Sequence, residues 1–435
     1  MASVDVGVGL LGYGTVGSSV NRLLVDSAEE IERATGHRLR VVKALVRDVG
    51  KERDFPPPGG VLTDDADEIL DDPSISIVAE VMGGLDPTGK LVLEALRRGK
   101  HVVSANKQLV ARRGAEFFAA ASDAGVQFRF EASVCAAIPV IKLLREALVV
   151  TNVHRVLGIV NGTTNFVLTE MERGQTYGEA LASAQAHGYA EADPTEDVSG
   201  ADAAAKMAIL ATIAFRSRFE LEDVEYAGID TITPQDVASA RQLEMVVRLI
   251  GTATMADGHV DVRVHPAFVD KLHPLAGVAG AFNAVMLQGD AIAEITLEGP
   301  GAGGIETASA VVADMASVIG TMGTGFLQND PCWRELPRLT PGDQRSPYYF
   351  RLHVEDRPGV LARVAEELAD RDISVARLIQ HQNGDGVALH VVTHEARAGA
   401  LDDALRQIET FPETKGPAVA WPVISDRGVA ELGWA

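Results

Sequence analysis

The chain has 435 residues, 46% of them hydrophobic, and a formal net charge of −22. That length accommodates two or three domains with sizeable cores, and the charge argues against nucleic acids and anionic membranes as partners. No apolar run approaches the ~18 residues of a membrane span, a strand pattern begins too early to leave room for a signal peptide, and two cysteines, Cys135 and Cys332, are too few for a disulfide framework or a cysteine-bound zinc site, which suits a reducing cytoplasm.

Residues 4–11, VDVGVGLL, read as an apolar strand, and a segment of helical spacing follows Gly12-Tyr13-Gly14-Thr15-Val16-Gly17. A G-x-G-x-x-G run between strand and helix is the arrangement a dinucleotide needs, so these six residues are candidate cofactor contacts. Gly12 allows the turn, Gly14 lets the backbone approach the pyrophosphate, and Gly17 lets helix pack on strand. The second strand, LRVVKALV, ends near Arg47 and Asp48. An arginine there suits the 2′-phosphate of NADP and an acid suits NAD. Arg47 comes first, so NADP is expected, with NAD still open.

After the turn-rich PPPGG, a short helix at 65–70, a buried strand SISIVAEVMG, a helix at 88–98 and a strand HVVSANK continue the alternation. Such alternation indicates a parallel, doubly wound sheet, and Ser104, Asn106 and Lys107 fall at the carboxyl edge where its ligands bind. Residues 127–138, QFRFEASVCAAI, read as a strand and its exit, and PVIKLLREAL as an amphipathic helix. VHRVLGIV is then a strand ending at NGTTN, where Thr163 or Thr164 could cap the helix FVLTEMERG.

The most informative stretch is 188–210, GYAEADPTEDVSGADAAAKMAIL. It holds five carboxylates, Glu191, Asp193, Glu196, Asp197 and Asp202, with one cation, Lys206. Pro194 excludes helix through the first half, and Ser199-Gly200 marks a helix start. Asp202 and Lys206 then share a helix face. A desolvated lysine titrates nearer neutrality and can pass protons; the plain alternative is an ion pair on an exposed face. Further on, 238–255 reads as a helix, and HVDVRVHPAFV, NAVMLQGD and AEITLEG as strands of a mixed sheet. His187, His259, His265 and His273 show no ligand spacing. GPGAGG then leads into another helix.

GLLGYGTVG, SANK, NGTTNF and GYAEADPTEDVSGADAAAK, in this order, resemble homoserine dehydrogenase over nearly all of residues 4–325. The resemblance implies interconversion of L-homoserine and L-aspartate 4-semialdehyde with NAD(P), within threonine and methionine biosynthesis. It implies that Lys206 passes the proton at the substrate's C4 oxygen, with Lys107 between nicotinamide and substrate. Glu191 and Asp202 would bind homoserine, and Asp197 would support them. Ser104 and Gly303 would approach the cofactor. Backbone carbonyls of Glu131, Val134, Ala136 and Ile138 would hold a monovalent cation, Na+ or K+, although this chain has CAAIP where many relatives have glycines. Glu306 stands where many have proline.

Residues 326–347 read as a linker, and 348–426 as βαββαβ, with DRPGVL at its first strand–helix turn. This tail resembles an ACT domain. In it Asp356 would cap the helix and Gly359 would leave backbone N–H groups open to an amino-acid effector, L-threonine by the resemblance. The plain alternative is an oligomerisation module. The expected architecture is α/β: a Rossmann domain at 1–131 completed by a return helix at 303–325, a mixed α/β substrate and dimerisation domain at 132–302, and the ACT domain. A homodimer or homotetramer is expected. Two rivals remain: a dehydrogenase of another small amino-acid aldehyde, and an inactive NADP-binding sensor, against which the pair Lys107 and Lys206 argues.

Overall fold

In the computed structural model of the chain, residues 4–53, 55–57, 61–322, 331–383 and 386–425 are described. Parts of the PPPGG segment, of the expected linker and of the NGDG hairpin turn lie outside the described residues. The chain forms two compact units, one of 1–156, 205–224 and 283–335, the other of 157–204, 225–282 and 336–435.

The first unit begins with β1 (Val4–Leu11), α1 (Thr15–Asp26), α2 (Ala28–Thr35) and β2 (His37–Leu45). Next come β3 (Leu62–Thr63), α3 (Asp67–Leu70), β4 (Ile75–Glu80), α4 (Thr88–Arg97), β5 (His101–Ser104), α5 (Lys107–Ala124) and β6 (Phe128–Arg129). The six strands are parallel in the order β3-β2-β1-β4-β5-β6. Strand order therefore reverses beside β1, which creates the crevice where doubly wound sheets bind dinucleotides. Val8, Leu10, Ile77 and Ala79 are buried on these strands. Strands covered on both faces need such continuous apolar runs.

The expected strand at 127–138 shrinks to β6. A 3-10 turn at Glu131–Ser133 follows, and Cys135 and Ala136 take φ of 56° and 38°. Both side chains adopt a left-handed conformation that glycine enters more easily. The helix expected next is short: α6 (Val140–Lys142) passes directly into a π-helix at Leu143–Ala147.

β7 (Val153–Ile159) leads to α7 (Gly162–Glu172), α8 (Tyr177–Ala186), α9 (Thr195–Val198) and α10 (Ala201–Phe215). Pro194 does not exclude helix after it. It sits at the N-cap of α9, a place that lacks the hydrogen bond proline would break. Then come β8 (Glu225–Tyr226), α11 (Pro234–Gln242), β9 (Met245–Ala256), β10 (His259–Asp270), β11 (Phe282–Gly289), β12 (Ala293–Pro300) and the return helix α12 (Gly304–Thr321). The helix expected over 238–255 is mostly a strand. It stops at Gln242, Glu244 turns the chain at φ 60°, and β9 pairs antiparallel with the whole of β10. Val246, Val247, Ile250, Thr252 and Thr254 favour the pleated strand because branching at Cβ crowds a helical turn.

Past β13 (Arg345–Ser346), the tail runs β14 (Tyr348–Glu355), α13 (Val360–Ala369), β15 (Val375–Asn383), β16 (Gly386–Thr393), β17 (Ala396–Arg397), α14 (Ala398–Glu409) and β18 (Val419–Ile424). Its four long strands lie in the order β18-β14-β16-β15, all antiparallel neighbours. β18 also pairs in parallel with β10, so the tail extends the second unit's sheet. The residues before the tail are tied down too, since Val260 N–H donates to Pro337 O at 2.9 Å and Leu339 N–H to Val260 O at 2.8 Å. Among the described residues no helix is long and apolar enough to cross a membrane.

Candidate active site

In the first unit the glycine turn is built as its spacing predicts. Gly12 takes φ 108°, and a Cβ there would lie 3.0 Å from Met82 Cα. At Gly17 a Cβ would strike the Gly12 carbonyl, so both positions exclude a side chain. A Cβ on Gly14 would meet nothing within 4 Å. Gly14 is also the N-cap of α1 and supplies no side-chain hydrogen bond, which leaves first-turn N–H groups for a phosphate. α12 starts beside it, since a Cβ on Gly304 would lie 2.8 Å from Thr15 Cγ2. Gly303, at φ 141°, is the N-cap of α12. The residues present therefore fit a dinucleotide.

Other candidates in this unit are placed less directly. The Tyr13 side chain turns inward, its hydroxyl donating to Phe55 O at 3.1 Å and accepting from Asn21 at 2.8 Å. Burial raises its pKa. Arg47 is exposed just past β2. Asp48 is held within its own turn by Gly50 N–H at 2.8 Å, while Arg53 donates to the Asp48 carbonyl at 2.8 Å and lies within electrostatic reach of Tyr13. Arg53 escaped the sequence reading because it follows the strand by eight residues of irregular chain. Lys107 opens α5, whose N-cap Asn106 accepts Leu109 N–H at 3.2 Å.

The Glu131 carboxylate accepts Ile141 N–H at 2.8 Å and Lys142 N–H at 2.7 Å. Burial first, and then the Asp314 carboxylate, push its pKa up to about 8. Its carbonyl accepts Val134 N–H at 3.3 Å and the Ile138 carbonyl accepts Val140 N–H at 2.8 Å, so each oxygen retains a second lone pair. Those lone pairs and the left-handed turn at Cys135 and Ala136 suit a backbone-held cation. Among the described residues no cluster of His, Cys, Asp and Glu could hold a metal by side chains.

In the second unit the NGTTN turn and the acidic stretch come together. Asn161, not Thr163 or Thr164, is the N-cap of α7, accepting Thr164 N–H at 2.8 Å. Asparagine caps as well as threonine, and here its NH2 group has a further task. It donates to Asp197 Oδ1 at 2.7 Å and to Asp202 Oδ2 at 2.8 Å. The Thr163 hydroxyl sits 3.2 Å from Asp197 Oδ2. Asp202 is 2% exposed, on the first turn of α10, with Lys206 one turn later. Glu191 is exposed on the loop before α9. The sequence reading took Asn161 for a turn residue only; an asparagine at a strand–helix junction was the available signal. His273 caps a 3-10 turn, and burial holds His265 down to about 4.

In the tail, Asp356 does not cap α13. The helix starts only at Val360, after Gly359 at φ 91°, and Asp356 instead accepts from Gln382 at 3.3 Å. Among the described residues no side chain caps this helix, and a Cβ on Gly359 would meet none of them within 4 Å.

Family models described as homoserine dehydrogenase, NAD binding domain, as homoserine dehydrogenase, and as ACT domain match residues 12–131, 139–316 and 348–413. A homoserine dehydrogenase of Mycobacterium tuberculosis (strain ATCC 25618 / H37Rv) is 42% identical over 428 residues, 94% of this chain and 96% of that one. The crystal structure of a homoserine dehydrogenase from Thiobacillus denitrificans superposes with a TM-score of 0.92 at 39% identity, covering 97% of this chain and 99% of that one. A hyperthermophilic archaeal homoserine dehydrogenase in complex with NADPH matches with a TM-score of 0.61 at 27% identity, covering 72% and 98%. On the strength of these matches, with an open glycine turn for a nicotinamide dinucleotide and an ACT tail, the chain belongs to the homoserine dehydrogenase family.

Proposed function

We propose that this protein interconverts L-homoserine and L-aspartate 4-semialdehyde, with NADP preferred over NAD. The observation that carries the reading is the Asn161 amide joining Asp197 and Asp202 at the head of the helix that bears Lys206. Oxidation of a primary alcohol requires a group that removes the hydroxyl proton and a grip on the rest of the molecule. Lys206 takes and returns that proton. Asp202, with Glu191, grips the substrate ammonium by charge-assisted bonds. Asp197 and Asn161 fix the orientation of Asp202. Lys107 lines the substrate's path to the nicotinamide. The dinucleotide supplies hydride acceptance and donation when bound.

The open first turn of α1, with Gly12 through Gly17, receives the pyrophosphate, and Gly303 approaches it from the return helix. Arg47 reads the 2′-phosphate. Backbone carbonyls of Glu131, Val134, Ala136 and Ile138 would hold Na+ or K+, and the enzyme works as a homodimer or homotetramer in the cytoplasm. The uncapped start of α13 at Gly359 receives the effector carboxylate, and threonine, the end product closest to homoserine, inhibits. NADPH consumption with aspartate semialdehyde, beside homoserine-dependent NADP reduction, tests the central reading. No turnover in either direction refutes it.

A further inference from the structure

Glu80 is fully buried at the last position of β4, yet none of the roles above uses it. Its neighbours in register are Leu11, which precedes the glycine turn, and Ser104, which precedes Asn106 and Lys107. Oε1 accepts the N–H groups of Met82 and Gly83, each at 3.0 Å. Oε2 accepts the Ser104 hydroxyl at 2.7 Å. The Ser104 oxygen accepts Asn106 N–H at 3.1 Å, and the Asn106 amide donates to Gly84 O at 2.7 Å. Met82 is the residue against which Gly12 is packed.

The loop so held contains Gly83 and Gly84 at φ 72° and 75°, a conformation that glycine allows without favouring over others. Something else must select it. Three donors converge on two oxygens, which an ionised carboxylate accepts and an amide cannot fully reproduce. Burial raises the pKa of this carboxyl, and the Ser104, Gly83 and Met82 hydrogen bonds oppose the rise. An acid buried against that penalty needs a reason to be there.

We infer that Glu80 is the positioning residue of the nicotinamide side, clamping the 82–84 loop under the glycine turn and the Ser104–Lys107 turn beside it in one fixed register. Ser104 is its lever, which explains why a candidate cofactor residue directs its hydroxyl inward. The inference rests on the dehydrogenase reading, and it concerns how the cofactor edge is held rather than which substrate is used.

The test compares Glu80→Ala, Glu80→Gln, Ser104→Ala and the Glu80→Gln/Ser104→Ala double variant by NADPH fluorescence titration and by kcat per NADPH-binding site. Glu80→Ala should weaken NADPH binding by about 10-fold and lower kcat by about 100-fold, the scale expected for reacting groups displaced by an ångström. Glu80→Gln keeps a carbonyl for Met82 and Gly83, so NADPH binding should stay near wild type while kcat falls by about 10-fold. Ser104→Ala should match it, and the double variant should be no worse than either single one, because all three break the same link. Wild-type Kd and kcat in Glu80→Ala overturn the inference. So do additive losses in the double variant, which decides the matter if Glu80→Ala does not fold. A purely structural role would reduce the number of binding sites and leave kcat per site unchanged. A wild-type protein that binds NADPH but reduces no semialdehyde sinks the dehydrogenase reading instead, and the titration still judges the clamp.

Discussion

Asp236 offers the sharpest test of how the tail is attached. It is fully buried at the third position of α11, where its Oδ2 accepts Thr233 N–H at 2.9 Å and the Thr233 hydroxyl at 2.6 Å. The same oxygen pairs with Arg351 of β14, and Oδ1 accepts the Tyr349 hydroxyl at 2.8 Å. Arg351 is 9% exposed, and its Nε has no partner among the described residues, so the guanidinium depends on Asp236 and Thr233. Asp236→Asn keeps the volume and can keep the cap, but it removes the charge. Leaving one ion of a buried pair uncompensated costs about 3–5 kcal/mol. At about 2–4 °C per kcal/mol for a unit of this size, the melting temperature should fall by about 6–20 °C in scanning calorimetry. An exposed pair such as Arg406 with Asp403 is the control, and Asp403→Asn should change stability by less than about 1 kcal/mol. Equal, small shifts for both variants would refute the reasoning and mean that water reaches Arg351.

Other expectations follow from single groups. Lys206→Ala should lower kcat by about 10²-fold or more while NADPH still binds, and unchanged turnover would make Lys206 an ion-pair partner only. Arg47→Ala should weaken NADP more than NAD, whereas equal loss would assign Arg47 to the fold. His390 is held at about 4 by burial, below the ~6.5 of an unfolded histidine, so the unfolded chain binds more protons between those values. Its contribution is complete above ~6.5 and is lost as pH falls toward 4, so His390→Gln should flatten the melting-temperature profile there, with His265 leaving a residual slope. An unchanged profile would acquit His390. Gly359→Asp should leave basal activity intact and abolish inhibition by threonine; retained inhibition would place the effector elsewhere.

How legible the molecule is from its sequence depends on the range of the forces involved. The glycine turn could be read because its spacing between strand and helix is local: Gly17 is forced by the Gly12 carbonyl five residues earlier, although Gly12 is also packed against Met82 in the loop after β4. The strand β9 could not, because Met245–Ala256 carries apolar residues on both faces, and periodicity cannot separate such a strand from a buried helix. Only its pairing with β10 decides the matter. Asn161 and Glu80 were missed for a related reason. Each acts on partners 22 to 41 positions away, Glu80 through Ser104 and Asn161 through Asp202, and no local pattern names the partner. Asp356 was misplaced because proline at 358 suggested a helix start there, and the left-handed step at Gly359 moved the start beyond it.

The manner of attachment also bears on what the tail can do. β18 pairs with β10 at Phe268 and Val269, and the Phe268 ring stacks on Tyr349 with centroids 3.8 Å apart. Truncation after Gly342 would uncover Phe268, open that edge of β10 and leave Asp236 buried without Arg351. Loss of activity in such a fragment would report damage to the second unit and nothing about an effector. Gly359 is a cleaner point of attack, since a side chain there meets open space and strains only the backbone. The magnitudes point the same way. Allosteric couplings run to about 1–3 kcal/mol, less than undocking would cost, since it re-exposes Phe268, a buried side chain worth about 1.5–3 kcal/mol, together with Tyr349, Trp421 and the β10–β18 pairing. On the effector reading proposed above, an amino acid bound at the start of α13 acts without undocking the tail. It has to favour one arrangement of a sheet that stays joined, and β14, which runs from Tyr349 and Arg351 toward Gly359, is the element that spans both ends.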